Sequence, residues 1–163
     1  GTNYPSVTFT GGEPLAQPAF LKEILILTRE AGFTNYLETN GTLPQALAEV
    51  IDLVDVIAMD FKLPSSTGLK AYWQEHREFL RIASSKEVFV KAVVNSRTDI
   101  ADLRASIDVI NGVDPGIVLV LQPDSSEAYG ELEKKIEHFR ACCLNQGLIA
   151  CVIPQMHKLI GVK

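Results

Sequence analysis

Cysteine is scarce in this sequence, long hydrophobic runs are missing, and basic residues form no cluster. Three cysteines occur, at positions 142, 143 and 151, and neither their odd number nor their spacing suits a secreted disulfide framework or a metal site. The apolar run 117–121 is far shorter than the ~20 residues of a membrane-spanning helix, and no signal-peptide pattern follows Gly1. These absences predict a cytoplasmic protein with no membrane partner.

The distribution of charge argues against a nucleic-acid partner. Fifteen Lys and Arg oppose twenty Asp and Glu, which gives a net charge of -5, and the two signs are interspersed along the chain. With 163 residues, 47% of them hydrophobic, the sequence predicts a single domain over residues 1–163 with a sizeable core. The sequence enters an apolar strand almost at once after Gly1, so we expect this domain to be incomplete at its N-terminus.

Strand and helix patterns alternate along the whole sequence, which predicts an α/β fold. Continuous apolar strands such as 117–121 favour a parallel sheet covered on both faces. The first helix is expected to bury Phe20, Ile24, Leu27 and Ala31. Periodicity alone leaves open whether the sheet is a curved partial barrel or an open doubly wound sheet. The predicted strands are 7–10, 35–39, 56–62, 88–95, 117–122 and 148–153, and the predicted helices are 18–31, 44–53, 67–83, 100–111 and 127–146.

Polar residues collect where the predicted strands end, which is the edge at which parallel βα folds bind ligands. Gly11 and Gly12 allow a sharp turn and a close approach of a ligand to the main chain. Glu13, which follows them, offers a carboxylate to an ammonium group. An ordinary strand-to-helix turn is an equally good explanation of these glycines. Glu38 ends the second strand in a comparable position, and a turn does not explain this residue.

Other polar residues near strand ends have structural explanations. Asn40 begins a good turn sequence, and Thr42 is a candidate cap for the helix that follows. Ser65 and Ser66 are expected to cap the helix predicted to start at Thr67.

The three histidines have different contexts. His76 and His138 fall among polar residues within predicted helices, so we expect both to be solvated at the surface. His157 follows the last predicted strand, where it would join the polar residues at the strand ends.

Two motifs in consecutive βα units resemble the radical S-adenosylmethionine superfamily. They are Thr-Gly-Gly-Glu-Pro-Leu at 10–15 and Leu-Glu-Thr-Asn-Gly-Thr at 37–42. Within the superfamily the sequence is most similar to the 7-carboxy-7-deazaguanine synthase family. The segments that carry this second likeness are 59–66, 90–93, 121–123 and 155–158, so the resemblance covers nearly the whole chain in order.

The resemblance implies a partial (β/α)6 barrel with outer helices, which in this chain would lack its first strand. It also implies a carbon-nitrogen lyase that cleaves S-adenosylmethionine reductively at a [4Fe-4S] cluster. The resulting 5′-deoxyadenosyl radical would start the magnesium-assisted conversion of 6-carboxy-5,6,7,8-tetrahydropterin to 7-carboxy-7-deazaguanine in queuosine biosynthesis. The implied cofactors are S-adenosylmethionine, the cluster and Mg2+, and the implied partners are the pterin and a reductant such as flavodoxin or ferredoxin.

The same resemblance assigns residues to the site. The S-adenosylmethionine site is expected to comprise Gly11, Gly12, Glu13, Glu38, Asn40, Ser65 and Gln122. The pterin is expected to contact Gln155, His157 and Lys158. The CxxxCxxC motif of the superfamily is not found in these 163 residues, so no cluster ligand and no catalytic residue is assigned. We therefore expect the chain by itself to be inactive and its full-length parent to be the enzyme.

Two other functions compete with this interpretation. The first is an activating enzyme of the same superfamily, which generates a glycyl radical on a partner protein, although the Gln-Met-His-Lys segment at 155–158 argues against it. The second is a noncatalytic βα domain that binds an anionic ligand at its helix N-termini. An exposed edge on the first strand also makes a homodimer plausible.

Overall fold

The computed structural model describes residues 5–153, in which six strands alternate with helices. Two short 3-10 turns, Pro14–Ala16 and Ile51–Leu53, accompany the longer elements. The strands are β1 Ser6–Phe9, β2 Thr34–Thr39, β3 Val56–Phe61, β4 Glu87–Val94, β5 Val118–Pro123 and β6 Ala150–Val152. The helices are α1 Pro18–Glu30, α2 Pro44–Val50, α3 Pro64–Thr67, α4 Trp73–Ala83, α5 Ile100–Asn111 and α6 Tyr129–Asn145.

The strands form one open sheet in the order β1-β2-β3-β4-β5-β6. The pairs β1-β2, β2-β3 and β5-β6 are parallel, and their register aligns Phe9 with Leu37 and Leu37 with Ile57. The α/β prediction is thus confirmed, and the sheet is open, with β1 and β6 as the outer strands of the described part of the chain. Because the strands are parallel, the turns after β1 and β2 lie at the same edge of the sheet.

The prediction of one continuous helix over 67–83 is wrong. Helix α3 ends at Thr67, and Gly68 follows in the left-handed conformation with φ 73°, donating its N–H to the carbonyl of Pro64. Residues 68–72 then connect to α4, which begins at Trp73. A proline at the first helical position and a glycine just past the end are the usual signals of a short complete helix, and both are present here.

The chain divides into two compact units, the first of which comprises Gln74–Phe89 and the described residues up to Asp60. Strand β2 alternates in this unit, since Asn35, Leu37 and Thr39 are buried while the residues between them are half-buried. One face of β2 is therefore covered fully. The prediction of a sheet covered on both faces came from the apolar strands β3 and β5, and it agrees with the burial of three consecutive residues in each, 57–59 and 119–121.

The predicted buried face of α1 is also wrong, because it is displaced by one residue. Leu21 and Leu25 are buried, whereas Phe20 is 62% exposed and Leu27 is 59% exposed. A polar link sets the rotation of this helix. The buried amide of Asn35 in β2 donates to the carbonyl of Leu25 and accepts from the hydroxyl of Thr28 at 2.6 Å.

The second unit comprises Phe61–Trp73 and the described residues from Val90 onward. Its core contains Leu119 and Leu121 of β5 together with Ile107 of α5. Helix α6 contributes a buried stripe at helical spacing, formed by Leu132, Ile136, Phe139 and Cys143. Among residues 5–153, none of the helices combines the length and the hydrophobicity needed to cross a bilayer.

Candidate functional site

The turn after β1 exposes its backbone. Gly11 has φ +100°, a conformation that favours glycine, and both Gly11 and Gly12 are exposed. A Cβ atom built on Gly12 would meet no heavy atom within 4 Å, so the fold itself leaves room for a side chain at this position. The space beside Gly12 is open to a ligand that approaches the main chain.

The carboxylate of Glu13 ties this turn to the turn after β2. Oε1 accepts a hydrogen bond from the backbone N–H of Leu15 at 3.1 Å and another from the hydroxyl of Thr39 at 2.8 Å. Oε2 accepts from the backbone N–H of Asn40 at 2.9 Å. An ionised carboxylate offers about four acceptor positions, so these bonds leave capacity for a further donor.

The turn after β2 is held by its own side chains. The Asn40 amide oxygen accepts from the N–H of Thr42 at 3.0 Å and from its hydroxyl at 2.6 Å. The predicted role of Thr42 as a helix cap is therefore wrong, since the residue before α2 is Leu43 and it makes no side-chain cap. Gly41 has φ +66°, and a Cβ there would lie 2.3 Å from Cε of the buried Met59. Glycine at this position is thus required by both conformation and space.

His76 was expected at the surface, and this prediction is wrong. The residue is fully buried on α4, and its Nε2 lies 3.2 Å from the backbone carbonyl oxygen of Asn40. The spacing of His76 from the apolar residues of α4 could have predicted its burial. His76 precedes the buried residues Phe79, Leu80 and Ala83 by three, four and seven positions, which places it on the buried face of the helix.

Glu38 lies half-buried on β2 beside the same turn. The hydroxyl of Thr10 donates to its Oε2 at 3.4 Å, so a second carboxylate connects the ends of β1 and β2. Tyr36, two residues earlier, has its ring 6.4 Å from that of Phe89. Burial raises the pKa of the Tyr36 hydroxyl, and the nearby carboxylates of Glu38 and Glu87 raise it further. The Tyr36 hydroxyl therefore loses its proton at a more alkaline pH than an ordinary tyrosine.

A groove of about 420 Å³ runs beside Glu13 in the first unit. Its walls are mostly apolar and come from the end of β1, the 3-10 turn and α1. The lining residues are Phe9, Thr10, Glu13, Pro14, Gln17, Phe20, Leu21 and Ile24.

Ser65 belongs to the second unit, where its hydrogen bonds serve the fold. Its hydroxyl donates to Oδ2 of Asp102 at 2.5 Å and accepts from the backbone N–H of Asp99 at 2.9 Å. The same Asp102 oxygen accepts from the Ser65 N–H at 2.7 Å. Ser66 is bonded to Thr98 through their hydroxyls at 2.7 Å. The serines thus connect α3 to the start of α5, and the prediction that they cap a helix at Thr67 is wrong.

The other predicted contacts have different positions. Gln122 also lies in the second unit, half-buried on β5. Gln155, His157 and Lys158, which were predicted to contact the pterin, lie outside the described residues.

The residues present do not fit an iron-sulfur cluster. Within residues 5–153 no three His, Cys, Asp or Glu side chains come together in a way that could hold a metal ion. Cys142 and Cys143 lie on α6 and Cys151 lies on β6. Burial raises the pKa of the Cys143 thiol to about 11, which disfavours the thiolate that an iron ligand requires. The glycine turn and Glu13, by contrast, suit an amino acid moiety that carries an ammonium group.

Comparison with known proteins identifies the family. Residues 2–99 match the model of the Radical SAM superfamily. The 7-carboxy-7-deazaguanine synthase of Geobacter sulfurreducens is 36% identical over 160 residues, which cover 97% of this chain and 64% of that protein. The pyruvate formate-lyase-activating enzyme of Clostridium pasteurianum is 29% identical over 119 residues, covering 66% of this chain and 50% of that protein.

A solved structure supports the fold. A domain of pyruvate-formate lyase-activating enzyme from Bacteroides vulgatus superposes with a TM-score of 0.74 at 19% identity, covering 91% of this chain and 99% of that domain. This chain spans less than two thirds of the length of the Geobacter relative. The family model covers more than half of the chain, and the strand-end motifs fall within the matched residues. The chain therefore belongs to the radical S-adenosylmethionine superfamily.

Proposed function

We propose that the turn formed by Gly11, Gly12 and Glu13 binds the methionyl moiety of S-adenosylmethionine, and that the full-length protein is a 7-carboxy-7-deazaguanine synthase. The observation that carries this proposal is the Glu13 carboxylate. It lies beside an open glycine backbone and retains acceptor capacity after its bonds to Leu15, Thr39 and Asn40. The similarity to the Geobacter relative supports the choice of reaction.

The ammonium group of S-adenosylmethionine suits this carboxylate on electrostatic grounds. A charge-assisted hydrogen bond to an ionised acceptor is about twice as strong as a neutral one. Because Glu13 is already fixed by the turns on both sides, little side-chain entropy is lost when the ligand binds. Glu38 near the end of β2 and Asn40 in the turn that follows lie at the same edge of the sheet as Glu13, and we assign them to the cofactor as well. For Ser65 and Gln122, the cofactor role rests on the sequence resemblance alone.

The reaction requires groups that this chain does not hold by itself. Reductive cleavage of S-adenosylmethionine would supply a 5′-deoxyadenosyl radical, and this chemistry would depend on a [4Fe-4S] cluster bound by the full-length protein. Gln155, His157 and Lys158 are proposed to contact 6-carboxy-tetrahydropterin. Mg2+, a flavodoxin-type or ferredoxin-type reductant, a cytoplasmic location and a homodimer belong to the same proposal. What the described residues contribute is the binding and orientation of the cofactor.

The test is an anaerobic assay on the full-length protein reconstituted with iron and sulfide. We expect S-adenosylmethionine and 6-carboxy-tetrahydropterin together to give 7-carboxy-7-deazaguanine, detected by mass spectrometry with and without added Mg2+. Deoxyadenosine without a pterin-derived product would reject the proposed substrate and retain the cofactor. No binding of S-adenosylmethionine to the reconstituted protein would reject the whole proposal and leave a noncatalytic domain.

A second candidate function is the activation of a glycyl radical enzyme. The Clostridium pasteurianum relative favours it at the level of sequence, and the Bacteroides vulgatus domain shares the fold. The two functions differ in where the radical goes. A radical signal on an added pyruvate formate-lyase, measured by electron paramagnetic resonance in the absence of pterin, would support activation, and its absence together with a pterin-derived product would support the synthase.

A further inference from the structure

A buried histidine contacts the turn after β2, and it belongs to none of the motifs recognised in the sequence. His76 is fully buried on α4, and its imidazole contacts the polypeptide at the turn after β2. A carbonyl oxygen can only accept a hydrogen bond, so the 3.2 Å contact to the carbonyl of Asn40 requires the proton on Nε2 of His76.

This contact completes the restraint of Asn40. The backbone N–H of Asn40 donates to Glu13 Oε2 at 2.9 Å, and its backbone carbonyl accepts from His76 Nε2 at 3.2 Å. Each of the two peptide groups that flank the Asn40 Cα is therefore held by a hydrogen bond. Since these peptide planes define φ and ψ of Asn40, the imidazole fixes the direction in which the Asn40 N–H points at Glu13.

We propose that His76 is a positioning residue for Glu13. Its imidazole holds the backbone carbonyl of Asn40, and the backbone N–H of the same residue then keeps the Glu13 carboxylate in the orientation in which it binds an ammonium group. The inference rests on the proposed binding of S-adenosylmethionine at Glu13. His76 acts through Asn40 and contacts no ligand. Its removal leaves the Glu13 carboxylate in place but releases the Asn40 carbonyl, so the adjoining peptide whose N–H donates to Glu13 is held less firmly.

The test compares substitutions at position 76 that differ in how far a side-chain nitrogen extends towards the Asn40 carbonyl. In H76Q the side-chain nitrogen extends as far as the histidine Nε2, whereas in H76N the amide is too short to reach the Asn40 carbonyl. H76F keeps a planar ring of similar shape without a donor. H138Q is a matched control, because His138 is exposed on α6 in the second unit. Each variant is made in the full-length protein.

The readouts are the dissociation constant of S-adenosylmethionine by calorimetry, the thermal midpoint without ligand, and the KM and kcat of deoxyadenosine formation. We expect H76N and H76F to weaken binding by about tenfold and to raise KM more than they lower kcat. Without the bond from His76, the backbone at Asn40 is free to move, and part of the binding energy is spent on orienting Glu13. H76Q is expected to restore the affinity to within about threefold of the wild type, and H138Q to match the wild type.

Two outcomes would overturn the inference. If H76N and H76F lower the thermal midpoint while the dissociation constant stays at the wild-type value, His76 supports the fold only. If H76Q weakens binding as much as H76N, a hydrogen-bond donor at position 76 does not determine the affinity for S-adenosylmethionine. Failure of the proposed function looks different. In that case the wild-type protein does not bind S-adenosylmethionine, or E13Q binds it as tightly as the wild type.

Discussion

The two compact units carry polar clusters that look alike in the sequence and differ in their hydrogen bonding. In the first unit, Glu13 joins the turns after β1 and β2 and still has acceptor capacity beside exposed glycines. In the second unit, the hydroxyl of Ser65 both donates to Asp102 and accepts from the N–H of Asp99. A polar residue at a strand end is therefore a good candidate for ligand binding when its side chain can still form a hydrogen bond after its bonds within the fold are counted.

Replacing the carboxylate should produce the largest change in affinity. In E13A the charge-assisted contact to the ligand ammonium is lost, and a bond of this kind contributes about 1.5–3 kcal/mol, so S-adenosylmethionine binding should weaken by about tenfold to a hundredfold. Calorimetry on the full-length protein measures this. E13Q retains the size of the side chain and separates charge from packing. An unchanged dissociation constant for both variants would remove the distinction between the two clusters.

The glycines of the first unit offer a matched pair of substitutions. G41A forces a left-handed conformation on alanine and crowds the buried Met59, which together should lower the free energy of unfolding by about 2–4 kcal/mol. G12A has open space for its methyl group and should change stability by less than about 0.5 kcal/mol.

G12A is expected to differ from the wild type in its affinity for S-adenosylmethionine. Its methyl group occupies the open space beside the proposed site, so we expect weaker binding of S-adenosylmethionine without a loss of stability. Urea unfolding and calorimetry on the same preparation measure both quantities. Normal affinity in a stable G12A protein would show that no ligand approaches this backbone.

In the second unit, S65A should act mainly on stability. The substitution removes the hydroxyl that bonds to Asp102 and to the N–H of Asp99, and the expected loss is about 1–2 kcal/mol of unfolding free energy. Because this hydroxyl is engaged within the fold, the effect on S-adenosylmethionine affinity should be smaller than that of E13A. A larger loss of affinity in S65A than in E13A would reverse the comparison.

An alkaline loss of stability, confined to pH values above about 9, is expected from Cys143. Burial raises the pKa of this thiol from 9.0 to about 11, so the folded state holds the proton more tightly than the unfolded state. The resulting stabilisation is complete below pH 9 and is lost as the pH rises towards 11. Urea unfolding between pH 8 and about 11 should therefore show a weaker pH dependence in C143A than in C142A. Equal pH dependence in the two variants would contradict the assignment.

Much of the fold follows from the sequence because its local signals agree with its tertiary packing. The predicted strand 35–39 differs from the observed β2 by one residue, and α5 has the predicted bounds of 100–111. The errors arise where tertiary contacts decide. The buried face of α1 depends on the bonds of Asn35 to Thr28 and Leu25, which no periodicity contains.

The candidate site was partly predictable for similar reasons. Gly11, Gly12 and Glu13 form a contiguous motif that can be recognised in the sequence. The bonds from Glu13 to Thr39 and Asn40 join residues 26 and 27 positions apart, so only the parallel pairing of β1 and β2 brings them together. His76 was missed because its polar neighbours on α4 suggested a solvated position, although its spacing from Phe79 and Leu80 indicated the buried face.

The most direct test of the proposed site is a crystal structure of the full-length protein, reconstituted with its cluster and soaked with S-adenosylmethionine. We expect the amino nitrogen of the ligand to lie about 2.7–3.2 Å from a carboxylate oxygen of Glu13, with its chain passing beside Gly12. An amino group bound elsewhere, with Glu13 bonded only to Leu15, Thr39 and Asn40, would contradict the assignment.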